Sequence, residues 1–107
     1  MSSDANFYLG LVDHNNGNFS EAIRHFERVT DGDRKFEAQI RKSSSIRKSS
    51  NINNAIQYLD KLMGEYKSDS LKINILLTEI SLYNEEKQFF KIIDSVSYTH
   101  LTLPTKA

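Results

Sequence analysis

The chain has 107 residues whose 14 basic and 14 acidic side chains cancel, with no cysteine, no tryptophan and a single proline. Disulfides and thiolate zinc sites are therefore excluded, and a formal charge near zero gives no general attraction to nucleic acid or to a membrane surface. No apolar run approaches the ~20 residues of a membrane-spanning helix, and the first residues, MSSDAN, carry neither the basic nor the apolar region of a signal peptide.

The one proline is Pro104, so the body of the chain holds no strong helix breaker. From Phe7 to Val29 it reads FYLGLVDHNNGNFSEAIRHFERV. Phe7, Leu9, Leu11 and Val12 form an apolar helical face that runs into Asp13, His14, Asn15, Asn16 and Gly17, a polar turn closed by glycine. Ser3 or Asp4 can cap this first helix, placed over residues 3–16. Asn18 or Ser20 caps a second over 20–30, whose buried stripe is Phe19, Ala22, Ile23, Phe26 and Val29. So short a connection makes the pair antiparallel, and Gly10 and Ala22 supply the small residues needed where the backbones cross.

Leu9-Gly10, Gly17-Asn18-Phe19, Ala22 and Phe26, in that order and spacing, resemble the tetratricopeptide repeat, a helical hairpin of about 34 residues. Val29 stands where that family usually has alanine, and no proline closes the unit. Asp31-Gly32-Asp33 forms the turn to the next unit; it lacks the spaced carboxylates of a calcium loop, and Asp33 reads as the cap of the third helix. The second unit, residues 34–66, places Phe36, Ala38, Ile40 and Ile46 on its first helix, with Ser43 where Gly10 stood. After a turn at Ser49-Ser50-Asn51, Ile52, Ala55, Ile56, Leu59 and Leu62 repeat the earlier stripe, and Ala55 follows Ala22 by 33 positions. Gly64 frays or ends this fourth helix, and Tyr66 packs back. A third unit, residues 70–95, has Leu71, Ile75, Leu76, Ile80 and Tyr83 on its first helix, and Phe89, Ile92 and Ile93 begin a second. Ile92 takes the alanine's place 37 positions after Ala55, so this unit is degenerate and incomplete.

The resemblance implies an all-α fold over residues 1–95: an α-α superhelix of about two and a half antiparallel helical hairpins, in units 3–31, 34–66 and 70–95. Phe7-Tyr8-Leu9-Gly10, His25-Phe26-Glu27-Arg28-Val29 and Phe36-Glu37-Ala38-Gln39-Ile40-Arg41 are further similar to the large repeat lipoproteins of proteobacterial outer membranes, scaffolds and adaptors for periplasmic enzymes. That likeness implies a periplasmic, membrane-attached protein; the repeat family in general is equally at home in the cytoplasm. Val96 to Thr105, VSYTHLTLPT, resembles the translated transposase adapter of tagmentation sequencing libraries. Residues 96–107 are accordingly set apart as a non-native tail, the alternative being a β-prone tail with alternating Tyr98, His100, Leu101 and Leu103. Tyr98, Thr99 and His100 are not candidate site residues, and the native chain is expected to run on beyond Ser95.

Chemistry has little to stand on. No nucleophile, base and orienting acid converge at any defensible spacing, no glycine loop cradles a phosphate, and no metal or cofactor is implied. His14 at a helix end and His25 among charges read as solvated side chains. The chain is not expected to be an enzyme. Binding is different, because stacked hairpins line a concave side with the first helix of every pair. By repeat register that surface holds Asp4, Phe7, Leu11 and His14, then Glu37, Ile40, Ser44, Arg47 and Lys48, then Asn74, Leu77, Ser81 and Asn84. Such a mixed surface suits an extended peptide or a helix of another protein. Leu11, Ser44 and Ser81 stand where the chaperone-adaptor branch would repeat an asparagine, so its terminal-carboxylate specificity is not expected.

Two further expectations concern charge and ends. Arg34, Lys35, Arg41, Lys42, Arg47 and Lys48 face only one acid, Glu37, within residues 34–48, which makes nucleic acid or an acidic ligand the alternative partner. The bland account is a solvated face paired with acids on neighbouring helices such as Glu21, Glu27 or Asp60, and no aromatic residues interleave these charges for base stacking. An incomplete third unit leaves Leu71, Ile75, Phe89, Phe90, Ile92 and Ile93 without a fourth to pack on, which predicts self-association through the C-terminal end.

Overall fold

A computed structural model describes residues 2–97, with side-chain surroundings for residues 2–88. Its elements are five helices in sequence, α1 (Ser3–Asn15), α2 (Phe19–Glu27), α3 (Lys35–Ser49), α4 (Ile52–Glu65) and α5 (Asp69–Ser97). The expectations for Tyr98 to Ala107 lie outside the described residues.

The first hairpin forms for local reasons. Ser2, ahead of both candidates, caps α1 by accepting from the Ala5 amide at 3.2 Å. At the other end the Gly17 amide donates to the His14 carbonyl and the Asn18 amide to the Asp13 carbonyl, at 3.1 and 2.8 Å. These paired reverse bonds satisfy the last carbonyls of α1, and they require the left-handed φ of 82° that Gly17 adopts without a Cβ penalty. Contacts then run in opposite directions along the two helices. His14 stacks edge-on against Phe19 at 5.1 Å, whereas Phe7 meets Phe26, two turns further along α2, at 6.1 Å. The pair is antiparallel.

Gly10 lies between these contacts, so close to α2 that a Cβ there would sit 2.5 Å from the Phe26 ring. The first core cluster is Phe7, Ala22, Phe26, Val29 and Ala38, with Leu11 packed on it. Leu9 and Val12 are exposed, so the inward face of α1 is Asn6, Phe7 and Gly10 rather than the wider stripe read from the sequence.

The second hairpin repeats the first with different chemistry. Asp33 is not the cap of α3: that position belongs to Arg34, which makes no side-chain cap bond, while the Lys35 amide reaches the Gly32 carbonyl through the turn. Asn51 caps α4 by accepting from the Asn54 amide at 2.8 Å. Ser43 is fully buried where the backbones approach, its hydroxyl turned onto the Ile40 carbonyl at 2.6 Å. Tyr66, just past α4, stacks edge-on against Phe36 at 5.1 Å and its hydroxyl donates to Gln39. Contact between the end of α4 and the start of α3 makes this pair antiparallel too. Ala55, Leu59, Leu62, Ile75 and Leu82 form the second core cluster. Ala22 and Ala55 thus occupy equivalent places, each fully buried one turn before a large core residue.

The third unit departs from expectation. No turn separates Tyr83 from Phe89; α5 is a single helix of 29 residues, about 43 Å long. Asn84-Glu85-Glu86-Lys87-Gln88 contains no glycine and four good helix formers, so nothing local stops the helix. Ile75, expected at the open end, is fully buried in the second cluster, while Ile73, Leu76, Leu77, Ile80 and Tyr83 are exposed. Among the described residues no helix is long and apolar enough to cross a membrane.

Candidate functional site

Because hairpins alternate in direction, α1, α3 and α5 run parallel along one side of the molecule. Asp4 lies near Arg34 at 3.9 Å at one end of α1 and α3, and His14 Nδ1 meets Ser45 Oγ at 2.9 Å at the other. Between α3 and α5 the same order holds. Glu37 and Asn74 line one end of a groove, and at the other Arg47 reaches Glu85 and Glu86, each at 3.2 Å.

That groove encloses about 440 Å³ between α3 and α5. Ile40, Ser44, Asn74, Leu77 and Ser81, named from repeat register, all line it together with Glu37. Their convergence follows from the shared direction of the two helices, which brings positions one helical turn apart on each into facing rows. Leu77 is exposed, so its apolar surface is open to a ligand. Asn74 is exposed as well, and its backbone carbonyl accepts the Thr78 hydroxyl at 2.8 Å.

Other candidates are placed elsewhere. Phe7 is 1% exposed, sealed between Phe26 and the Arg34 guanidinium at 5.1 Å, and cannot touch a ligand. Leu11 is half-buried against the first cluster. Arg47, its side chain 10% exposed, is committed to the two glutamates of α5. Asp4, Lys48 and Asn84 are exposed but lie outside the groove lining. Arg41, Thr78, Leu82 and Glu85 line the groove although the register did not name them. Arg41 and Glu85 stand one turn beyond Glu37 and Ser81, a spacing that would have included them had the facing rows been extended.

Neither histidine is simply solvated. His14 rests in the seam between α1 and α3. Burial first, then the charges of Lys48 and Arg41, hold it below its usual pKa, with Glu85 opposing. His25 Nδ1 lies 2.6 Å from Asp13 Oδ2, bridging α2 to α1.

Comparison with protein-family models, with characterised proteins and with solved structures finds no match for this chain. Geometry therefore carries the assignment.

The basic helix is sorted by the fold. Arg34 lies over the rings of Phe7 and Tyr8 and near Asp4. Lys42 binds Glu27 at 2.9 Å while resting 4.6 Å from the Tyr58 ring centroid. Arg47 is held by α5. Of the expected acidic partners Glu27 takes part, whereas Glu21 pairs with Arg24 on its own helix and Asp60 adjoins Glu79 across the α4–α5 contact. On the opposite side of α3 a hollow of about 370 Å³ is lined by charged and polar residues including Lys35, Gln39, Lys42, Lys61 and Glu65. It offers less apolar contact than the α3–α5 groove.

Proposed function

We propose that this chain is a segment of a tetratricopeptide-type solenoid acting as a protein-binding scaffold rather than an enzyme, and that it takes a peptide or helix of a partner in the α3–α5 groove. The observation that carries this reading is the convergence of Ile40, Ser44, Asn74, Leu77 and Ser81 on one open concavity between the parallel helices α3 and α5. Family resemblance is supported by Gly10 against Phe26 and by the equivalent burial of Ala22 and Ala55; the unbroken α5 is a departure from it. Binding of nucleic acid through residues 34–48 is less favoured, because Arg34, Lys42 and Arg47 are each engaged within the protein and few cations remain for a phosphate backbone.

Selection from a random short-peptide display library against the whole chain tests the proposal. Enriched peptides should shift the backbone amide resonances of Ile40, Ser44, Leu77 and Ser81, and Ser44→Trp should block them by filling the groove. No enrichment, or a footprint confined to α2 and α4, would contradict it.

A further inference from the structure

Helix α5 carries three lengthwise stripes, each turned about 100° from the next because each is displaced by one residue. Ile75 and Leu82 belong to the second core cluster, and Asn74, Leu77 and Ser81 line the α3–α5 groove. Ile73, Leu76, Ile80 and Tyr83 form the third stripe. They recur at intervals of three, four and three residues, and each is about half exposed. Large apolar side chains in that alternation make the kind of seam along which two helices interlock. One step outward along the same spacing stands Asp69, four residues before Ile73, and at the other end Lys87, four residues after Tyr83, both exposed. The stripe is therefore apolar in its middle, acidic at the start of α5 and basic at the far end.

A surface of that pattern is complementary to itself in one direction only. Laid antiparallel on its own copy, it sets Ile73 against Tyr83 and Leu76 against Ile80, and the next layer at each end brings Asp69 of one copy to Lys87 of the other, since the three pairs share one midpoint. Laid parallel, it sets Asp69 on Asp69 and Lys87 on Lys87. Slipping the antiparallel pair by seven residues in either direction presses a charge onto the apolar seam, Lys87 onto Leu76 or Asp69 onto Ile80. We propose that the occupant of this stripe is a second copy of the chain, joined to the first as a two-fold antiparallel pair of α5 helices centred between Leu76 and Ile80, with Asp69 and Lys87 fixing direction and register. Discrimination comes more from the repulsion in the wrong alignments than from the strength of two exposed ion pairs. The seam is short, so the dimer is weak and its population follows concentration. Because the groove occupies a different stripe, the proposal does not rest on the groove being a binding surface.

Sedimentation equilibrium of the whole chain should show monomer and dimer and nothing larger, because a two-fold pair uses up the stripe on both copies. Asp69→Lys or Lys87→Glu alone should weaken dimerisation about tenfold or more at low salt, since each change falls on both ends of the pair. The two reversals in one chain should restore it. That rescue separates lost pairing from lost fold, as the double variant carries both changes that could disturb the helix. In a parallel dimer all four chains would associate alike. Direction is also read from one nitroxide on Ser70→Cys, the chain having no cysteine of its own. In the antiparallel pair the two labels are offset by about 24 Å along the helices, whereas in a parallel pair they lie side by side. A monomer at every concentration, growth into larger assemblies, no rescue by the double reversal, or labels side by side would each overturn the proposal.

Discussion

Gly10 shows how one residue sets a helix spacing. Alanine is the better helix former by up to about 1 kcal/mol, yet at this position its Cβ would enter the Phe26 ring, which is 2% exposed within the first core cluster. Overpacking of that kind costs about 1–3 kcal/mol and outweighs the gain in propensity. Gly10→Ala should therefore lower Tm by several degrees in a thermal melt, whereas Gly64→Ala, where a Cβ meets nothing, should leave it unchanged or raise it. Equal effects at the two glycines would contradict the close approach. Glu79 supplies a second residue-scale prediction. Its Oε1 is buried with no hydrogen-bond partner, and burial together with Asp60 raises its pKa to about 7. A carboxyl whose folded pKa exceeds its unfolded value binds more protons when folded, so stability falls as pH rises from about 4.5 to 7. His14, with a lowered pKa, acts in the opposite sense, losing stability as pH drops below about 6.5. Comparison with Glu79→Gln isolates the first effect: the variant should be the more stable at pH 7.5 by on the order of 1 kcal/mol, with the difference shrinking toward pH 5. A constant difference across that range would count against it.

At the scale of elements, the two hairpins were legible because their turns are written in residues that stop helices. Asn16-Gly17 terminates α1 through left-handed glycine geometry, and Asn51 starts α4 with a side-chain cap. The third hairpin was misread for the complementary reason. Apolar positions on both sides of Asn84 suited a repeat, but no breaker lies between them, and Arg47 fastens Glu85 and Glu86 to α3 at the point where a turn would open. The burial of Phe7 and the pairing of Arg47 were not legible either, since periodicity gives the face a residue occupies but not how deeply its neighbour covers it. Groove positions separated by whole turns, such as Ile40 and Ser44 or Leu77 and Ser81, survived because they depend on helix direction alone. The outer stripe of α5, with Ile73, Ile80 and Tyr83 each more than half exposed, has a direct consequence. Apolar surface arrayed along one helix drives association, so sedimentation of the chain should show a concentration-dependent rise in mass. Ile80→Lys with Tyr83→Lys should abolish it without loss of helicity, and a monomeric parent chain over the same range would refute the expectation.

For the whole molecule, function follows from direction. Consecutive antiparallel hairpins make α1, α3 and α5 parallel, and only that arrangement sets Glu37 opposite Asn74 while Arg47 meets Glu86 at the far end. The groove depends on it, as does the seating of His14 on Ser45 of α3. The absence of cysteine makes the arrangement open to direct measurement, because spin labels can be placed at chosen pairs without background. Labels at Glu37 and Asn74, and separately at Lys48 and Lys87, should both report short distances, with the pair Glu37 and Lys87 clearly longer. Short separations for Glu37 with Lys87 and for Lys48 with Asn74 would place α5 antiparallel to α3, dissolving the groove.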